Sequence, residues 1–132
     1  MSHYNEPMHE LDELTEINLD DLVSSFGWQD WPMLARLLRI FFRPPAKKFG
    51  RVMLDFDKVT GDVSLSEGAR YTLRKFIHSM KVIGRENIPV TGPLLFLSNH
   101  PGMVDTLALF DAIDRADLRI IALNRPFLRS LQ

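Results

Sequence analysis

Four large apolar residues, Leu94-Leu95-Phe96-Leu97, lie between Thr91-Gly92-Pro93 and Asn99-His100-Pro101-Gly102. This arrangement constrains the fold more than any other stretch. A run so short and so sharply bounded by breakers reads as a buried strand that ends abruptly. Directly after it, residues 106–113 combine good helix formers with an apolar face, so a helix N-terminus is expected near Val104 or Asp105. Residues 81–83 and 118–123 read as two further strands. The expected fold class is therefore α/β, with N-terminal helices followed by the first strands and helix of an α/β domain. A parallel sheet normally needs more strands and cover on both faces, so the chain is expected to be a truncated domain, marginally stable without its missing C-terminal half.

Upstream of that domain the chain reads as helical. Residues 31–43 start with a proline in the first turn and stop before Pro44-Pro45, a well-bounded helix. Arg36, Arg39 and Arg43 share one stripe, while Leu34, Leu37, Leu38, Phe41 and Phe42 cover most of the rest. That pattern suits an interfacial helix with tryptophans at its start, and equally a core helix with an exposed arginine face. Residues 46–59 repeat an apolar face at Phe49, Val52, Met53 and Phe56 before the Thr60-Gly61-Asp62 stop, which predicts a second helix joined to the first at the prolines. A third helix is expected over 67–80, where Leu73, Phe76, Ile77 and Met80 recur at helical spacing. His78 on that helix has no second histidine or carboxylate at metal-ligand spacing. No segment reaches the roughly 20 apolar residues that a bilayer requires.

Charge is divided unevenly along the chain. Residues 1–30 hold eight acids and no Lys or Arg, so they read as an acidic N-terminal arm with a short helix near 20–26, and not as a secretory or transit signal. The remaining residues carry all 16 basic side chains against nine acids, although the net charge of the whole is only −1. A basic body suits anionic lipid headgroups, coenzyme A phosphates or nucleic acid, and the arm could shield it or simply solubilise it. Recognition motifs for nucleic acid are absent and the aromatic residues follow the apolar faces, so nucleic acid is not expected as a partner. With no cysteine, disulfide and thiolate chemistry are excluded.

The chemistry sits in Asn99-His100-Pro101-Gly102-Met103-Val104-Asp105, which places an imidazole and a carboxylate five positions apart. A neutral imidazole takes a proton from a hydroxyl when one ring nitrogen is free and a fixed acceptor holds the other as a donor. Asp105 can be that acceptor and His100 the base, with the nucleophilic hydroxyl supplied by a substrate, since no Gly-x-Ser-x-Gly elbow is present. The same letters admit plainer roles. Asp105 would serve as a cap or dipole complement, Asn99 as an Asx turn, and Gly102 as a turn residue rather than a place of close approach.

This stretch resembles the first signature block of the glycerolipid acyltransferases, His-x-x-x-x-Asp preceded by Asn. The lead-in Val82-Ile83-Gly84-Arg85-Glu86-Asn87-Ile88-Pro89 followed by Gly92-Pro93 is similar as well. The likeness covers roughly residues 81–113 and is closest to the 1-acylglycerol-3-phosphate acyltransferase type. It implies an O-acyltransferase of phospholipid biosynthesis, moving an acyl group from acyl-CoA or acyl carrier protein to a hydroxyl of a glycerol phosphate or lysophospholipid. It further implies His100 and Asp105 as catalytic residues, Asn99 and Gly102 beside the substrate, no metal and no tightly bound cofactor. The expected location is cytoplasmic, peripheral to the inner face of a membrane.

On this reading residues 1–30 are the acidic arm, 31–80 a helical region resembling a membrane-docking hairpin, and 81–132 the N-terminal part of the acyltransferase domain. The family's later Glu-Gly-x-Arg block is not found after Asp105. Glu67-Gly68-Ala69-Arg70 spells it upstream, in the wrong order, and reads as coincidence. The alternative reading is a noncatalytic lipid-binding or interaction fragment that keeps the motif.

Overall fold

Gly27 ends the first helix. Helix α1 (Glu6–Ser25) closes where Gly27 takes a φ of +68°, the Gly27 N–H donates to the Ser24 carbonyl at 3.0 Å and the Trp28 N–H to the Val23 carbonyl at 3.1 Å. This pair of bonds satisfies carbonyls that the helix end would otherwise leave open, and it needs the left-handed conformation that glycine adopts without strain. Helix α2 (Pro32–Asp62) follows, with Pro32 in its first turn and Pro44 and Pro45 inside it. The computed structural model describes residues 6–99, 102–122, 124 and 126–129. By contact the chain forms two compact units, residues 1–54 with 122–132, and residues 55–121.

In the first unit, α1 buries Leu11, Leu14, Thr15, Leu19 and Val23, which lie on one helical face. The Thr15 hydroxyl, fully buried, donates to the Leu11 carbonyl at 2.6 Å. Gly50 of α2 gives this face its close approach. A Cβ there would stand 3.2 Å from Leu11 Cδ1 and 3.6 Å from Leu14 Cβ. Beside the apolar face runs a row of carboxylates that meets a row of cations on α2. Glu16 accepts from Arg39 at 2.9 Å and from Arg43 at 2.7 Å, Asp20 pairs with Arg39, and Asp12 accepts from Lys47 at 3.1 Å. The short helix α5 (Pro126–Arg129) also packs against α1.

The second unit is built on α3 (Leu65–Leu73) and α4 (Met103–Ile113), which lie against each other. Ser64 caps α3 by accepting the Glu67 N–H at 3.2 Å, a Ser-x-x-Glu start that satisfies an orphan donor. Ala69, Leu73 and Leu107 form the core, with Phe56, Ile77, Met103, Ala108 and Phe110 packed around it. Gly68 lets α3 cross the end of α2 closely, because a Cβ at this position would lie 3.0 Å from the Phe56 carbonyl oxygen and 3.2 Å from the Thr60 nitrogen. Thus the Gly68 of the out-of-order Glu-Gly-Ala-Arg sequence has a packing role.

Three expectations are corrected. The α/β class is overturned, since the regular structure of the described residues is helical and includes no β-strand. Residues 81–83, 94–98 and 118–122 belong to no regular element and carry no ladder, Ile83 forming a bend, and position 123 lies outside the described residues. The reason is that a strand satisfies its backbone only through a neighbouring strand, and none of these segments is paired with another. Their apolar side chains accordingly stay uncovered, with Leu97 87% and Ile121 98% exposed. Secondly, α2 runs unbroken through Pro44-Pro45 where two helices were expected. Each proline removes one N–H and frees the carbonyl four residues earlier, but both prolines lie on the exposed surface, where water can meet the Ile40 and Phe41 carbonyls. Thirdly, α3 stops at Leu73, not Met80, although hydrogen-bonded turns continue to Ile77.

Candidate functional site

The described residues of the motif lie at the entry to α4. Asn99 follows the apolar segment 94–97, outside any regular element, and is exposed. Gly102 is the N-cap residue of α4, with an extended backbone at φ −174°, and Asp105 stands in the first turn of that helix, half-buried. Gly102 and Asp105 are brought together, for a Cβ on Gly102 would lie 3.6 Å from Asp105 Oδ1. Thr106 Oγ1 approaches the Gly102 carbonyl at 3.5 Å. His100 and Pro101 lie outside the described residues. An acid in the first turn is favoured by the partial positive charge of the helix start, where N–H groups have no intrahelical acceptor. Those same N–H groups are the donors a developing oxyanion would use.

The opposite end of α4 is fastened by arginines that the sequence did not single out. Arg85, in the 3₁₀ turn Arg85–Asn87, donates to the Asp111 carbonyl at 3.1 Å and lies 3.5 Å from the Asp114 carboxylate. The turn begins at Gly84, whose φ of +84° explains the glycine of the lead-in. Arg115 donates to the Pro89 carbonyl and to the Gly92 carbonyl, each at 2.9 Å, and grips Asp117 with two further bonds at 2.8 and 2.6 Å. Both arginines therefore hold the lead-in against the C-terminal end of α4, where cations suit the helix dipole. The only signal in the letters was Arg115, just past the C-terminus of α4.

Arg70 joins α3 to α4 through Asp111 at 2.7 Å and also pairs with Glu67 on its own helix. Loss of solvent pulls the Arg70 pKa down, but the hydrogen bond and charge of Asp111, with Glu67 and Asp114, more than reverse this and hold it above its ordinary value. Hence Glu67 and Arg70 are engaged in helix packing.

A groove of about 230 Å³ occurs in the first unit, lined by Asn18, Leu22, Phe42, Pro45, Ala46 and Phe49. Among the described residues there is no cluster of three or more His, Cys, Asp or Glu able to hold a metal ion, and no helix long and apolar enough to cross a membrane. No protein-family model, curated protein or solved structure matches the chain.

Proposed function

We propose that this chain serves O-acyl transfer from an acyl thioester, on coenzyme A or acyl carrier protein, to a glycerolipid hydroxyl in phospholipid biosynthesis. The observation that supports the reading is Asp105 in the first turn of α4 beside the N-cap Gly102, with Asn99 exposed ahead of them in the chain. In the proposed reaction His100 takes the hydroxyl proton while Asp105 accepts from the other ring nitrogen. The freed oxygen attacks the thioester carbonyl, and backbone N–H groups at the start of α4 stabilise the tetrahedral oxyanion. Collapse breaks the carbon–sulfur bond, and the imidazolium returns its proton to the departing thiolate. Asn99 and Gly102 border the acceptor, and the work is done at the cytoplasmic face of a membrane.

The test is thiol release and phosphatidic acid formation from acyl-CoA and lysophosphatidic acid. His100→Ala is expected to lower the rate by about 10²–10⁴-fold, the usual contribution of a general base, with Asp105→Asn also impaired. Equal thiol release by wild type and His100→Ala would refute the reading. The uncovered apolar side chains of 94–97 favour a second reading, a noncatalytic lipid-binding or interaction fragment. Retained binding of lysophosphatidic acid without any thiol release would select it.

A further inference from the structure

Helix α2 carries its cations in two rows, and the molecule shows what one of them binds. Arg39, Arg43 and Lys47, four positions apart, meet Asp20, Glu16 and Asp12 of α1, also four apart and running the other way. An acidic helix lying antiparallel on a basic one is thus already built into the fold. The second row, Lys48 and Arg51 with Arg36 at its border, is exposed. Among the described residues no carboxylate pairs with it. The same face of α2 continues towards the helix start as Met33, Leu37 and Ile40, flanked by Phe41, all exposed. Large apolar side chains grouped in this way mark a place of interaction. Helix α1 has a second row as well. Glu10, Glu13, Ile17 and Asp21 share the side of α1 that faces away from buried Thr15 and Leu19. Glu13 comes no nearer to a basic group than 4.0 Å from His9 on its own helix, and among the described residues neither Glu10 nor Asp21 is in an ion pair.

We propose that the acidic second row of α1 in one copy of this chain docks on the basic second row of α2 in another copy, antiparallel as in the internal seam. The helical rise sets the register. At 1.5 Å per residue Glu10 and Asp21 stand about 16.5 Å apart along α1, and Arg36 and Lys48 about 18 Å apart along α2. With Asp21 beside Arg36, Glu10 falls beside Lys48. Half-buried Ile17 then lies over Ile40 and Phe41, and exposed Phe26 comes to the Trp31–Met33 end. Charge complementarity selects this occupant. Copies meeting by like faces would oppose acid to acid or base to base, which is costly, whereas the acidic face matches the basic one in sign and spacing. The two docking faces of a copy point away from the seam that its own α1 and α2 share. The contact is therefore heterologous, each copy offering its acidic face to one neighbour and its basic face to the next, so assembly grows with concentration and does not stop at two. The inference stands on α1 and α2 alone and is independent of the acyl-transfer reading.

Sedimentation velocity of the full chain over a concentration series tests it. The average mass is expected to rise above that of the monomer with concentration, and to fall back as salt is raised from about 0.1 M to about 1 M. Arg36→Gln with Lys48→Gln silences the basic face, and Glu10→Gln with Asp21→Asn the acidic one. Each double variant alone should weaken self-association at least about tenfold. Mixed, the two should restore a complex, because each keeps the face that the other needs, and that complex should stop at one copy of each. None of the four side chains belongs to the internal seam, so unchanged far-ultraviolet circular dichroism is expected and separates lost docking from lost folding. Self-association undiminished in both variants, or a mixture no larger than either variant alone, would overturn the proposal. So would a chain that stays monomeric up to about 1 mM, and flotation of such a monomer with phosphatidylglycerol vesicles would give the face to a lipid surface instead.

Discussion

Residues 65–73 with 103–113, and residues 81–99 with 118–122, are both rich in apolar side chains, yet the chain treats them oppositely. The helices α3 and α4 close Ala69, Leu73 and Leu107 away from water, whereas Leu95, Leu97 and Ile121 remain exposed on backbone outside any regular element. The difference lies in where each backbone finds its hydrogen bonds. A helix satisfies its own N–H and C=O groups and has only its apolar stripe left to bury, but an extended segment must find a neighbour for both. Apolarity alone therefore does not place a segment inside.

The sharpest way to break this comparison is to truncate one residue from each class. Leu107→Ala should cost about 2–5 kcal/mol in urea unfolding, as a filled core position emptied. Leu95→Ala should change stability by no more than about 0.5 kcal/mol. Equal losses would mean that residue 95 is covered in the folded protein. Gly68→Ala sharpens the helical side, since the added methyl meets the backbone of the α2 end, and overpacking of this kind is expected to cost about 1–3 kcal/mol.

Smaller effects probe the charged seam between α1 and α2. Glu16→Gln weakens two arginine contacts at once, but the partners are 34–54% exposed and water screens them. A loss of roughly 0.2–1 kcal/mol per pair is expected, shrinking as salt is added. The faintest effect concerns the Arg115 clamp on the extended region. The hydrogen bond from Arg115, outweighing loss of solvent and aided by the charges of Arg115 and Arg119, holds the Asp117 carboxyl below its ordinary value of 3.8. A lowered folded pKa means that the contribution of Asp117 is complete above the unfolded value and disappears as pH falls through the folded one. A nuclear magnetic resonance titration should therefore show the Arg115 Nε–H signal constant near neutrality and moving only in acid below that ordinary value. Movement near neutral pH would disprove the clamp.

Much of the helical part was legible. Pro32, the Thr60-Gly61-Asp62 stop and the spacing of Phe56, Leu73 and Ile77 located helical segments, and the helix expected to start near Val104 or Asp105 begins at Met103. Helix α1 was legible only in its last turn, because its many acids mask the apolar period at Leu11, Leu14, Leu19 and Val23 that the structure buries. Of the candidate site, the neighbourhood of Gly102 and Asp105 follows from the geometry of a helix's first turn, while His100 falls outside the described residues. Arg85 and Arg115 were not legible as site supports, since their acceptors are backbone carbonyls 23–26 positions away.

By itself the sequence determined that helix occurs within 32–62, 65–73 and 103–113, where the helix after the motif starts, and how charge divides between the first 30 residues and the rest, because capping, proline placement and periodicity act within a few neighbouring residues. Only the tertiary structure decided that α2 passes through two prolines, that the acids of α1 meet one row of its cations, and that the apolar irregular segments form no sheet among the described residues. Those outcomes depend on what stands across from each side chain, and partners distant in the chain are chosen by packing and by backbone hydrogen bonding rather than by any local pattern.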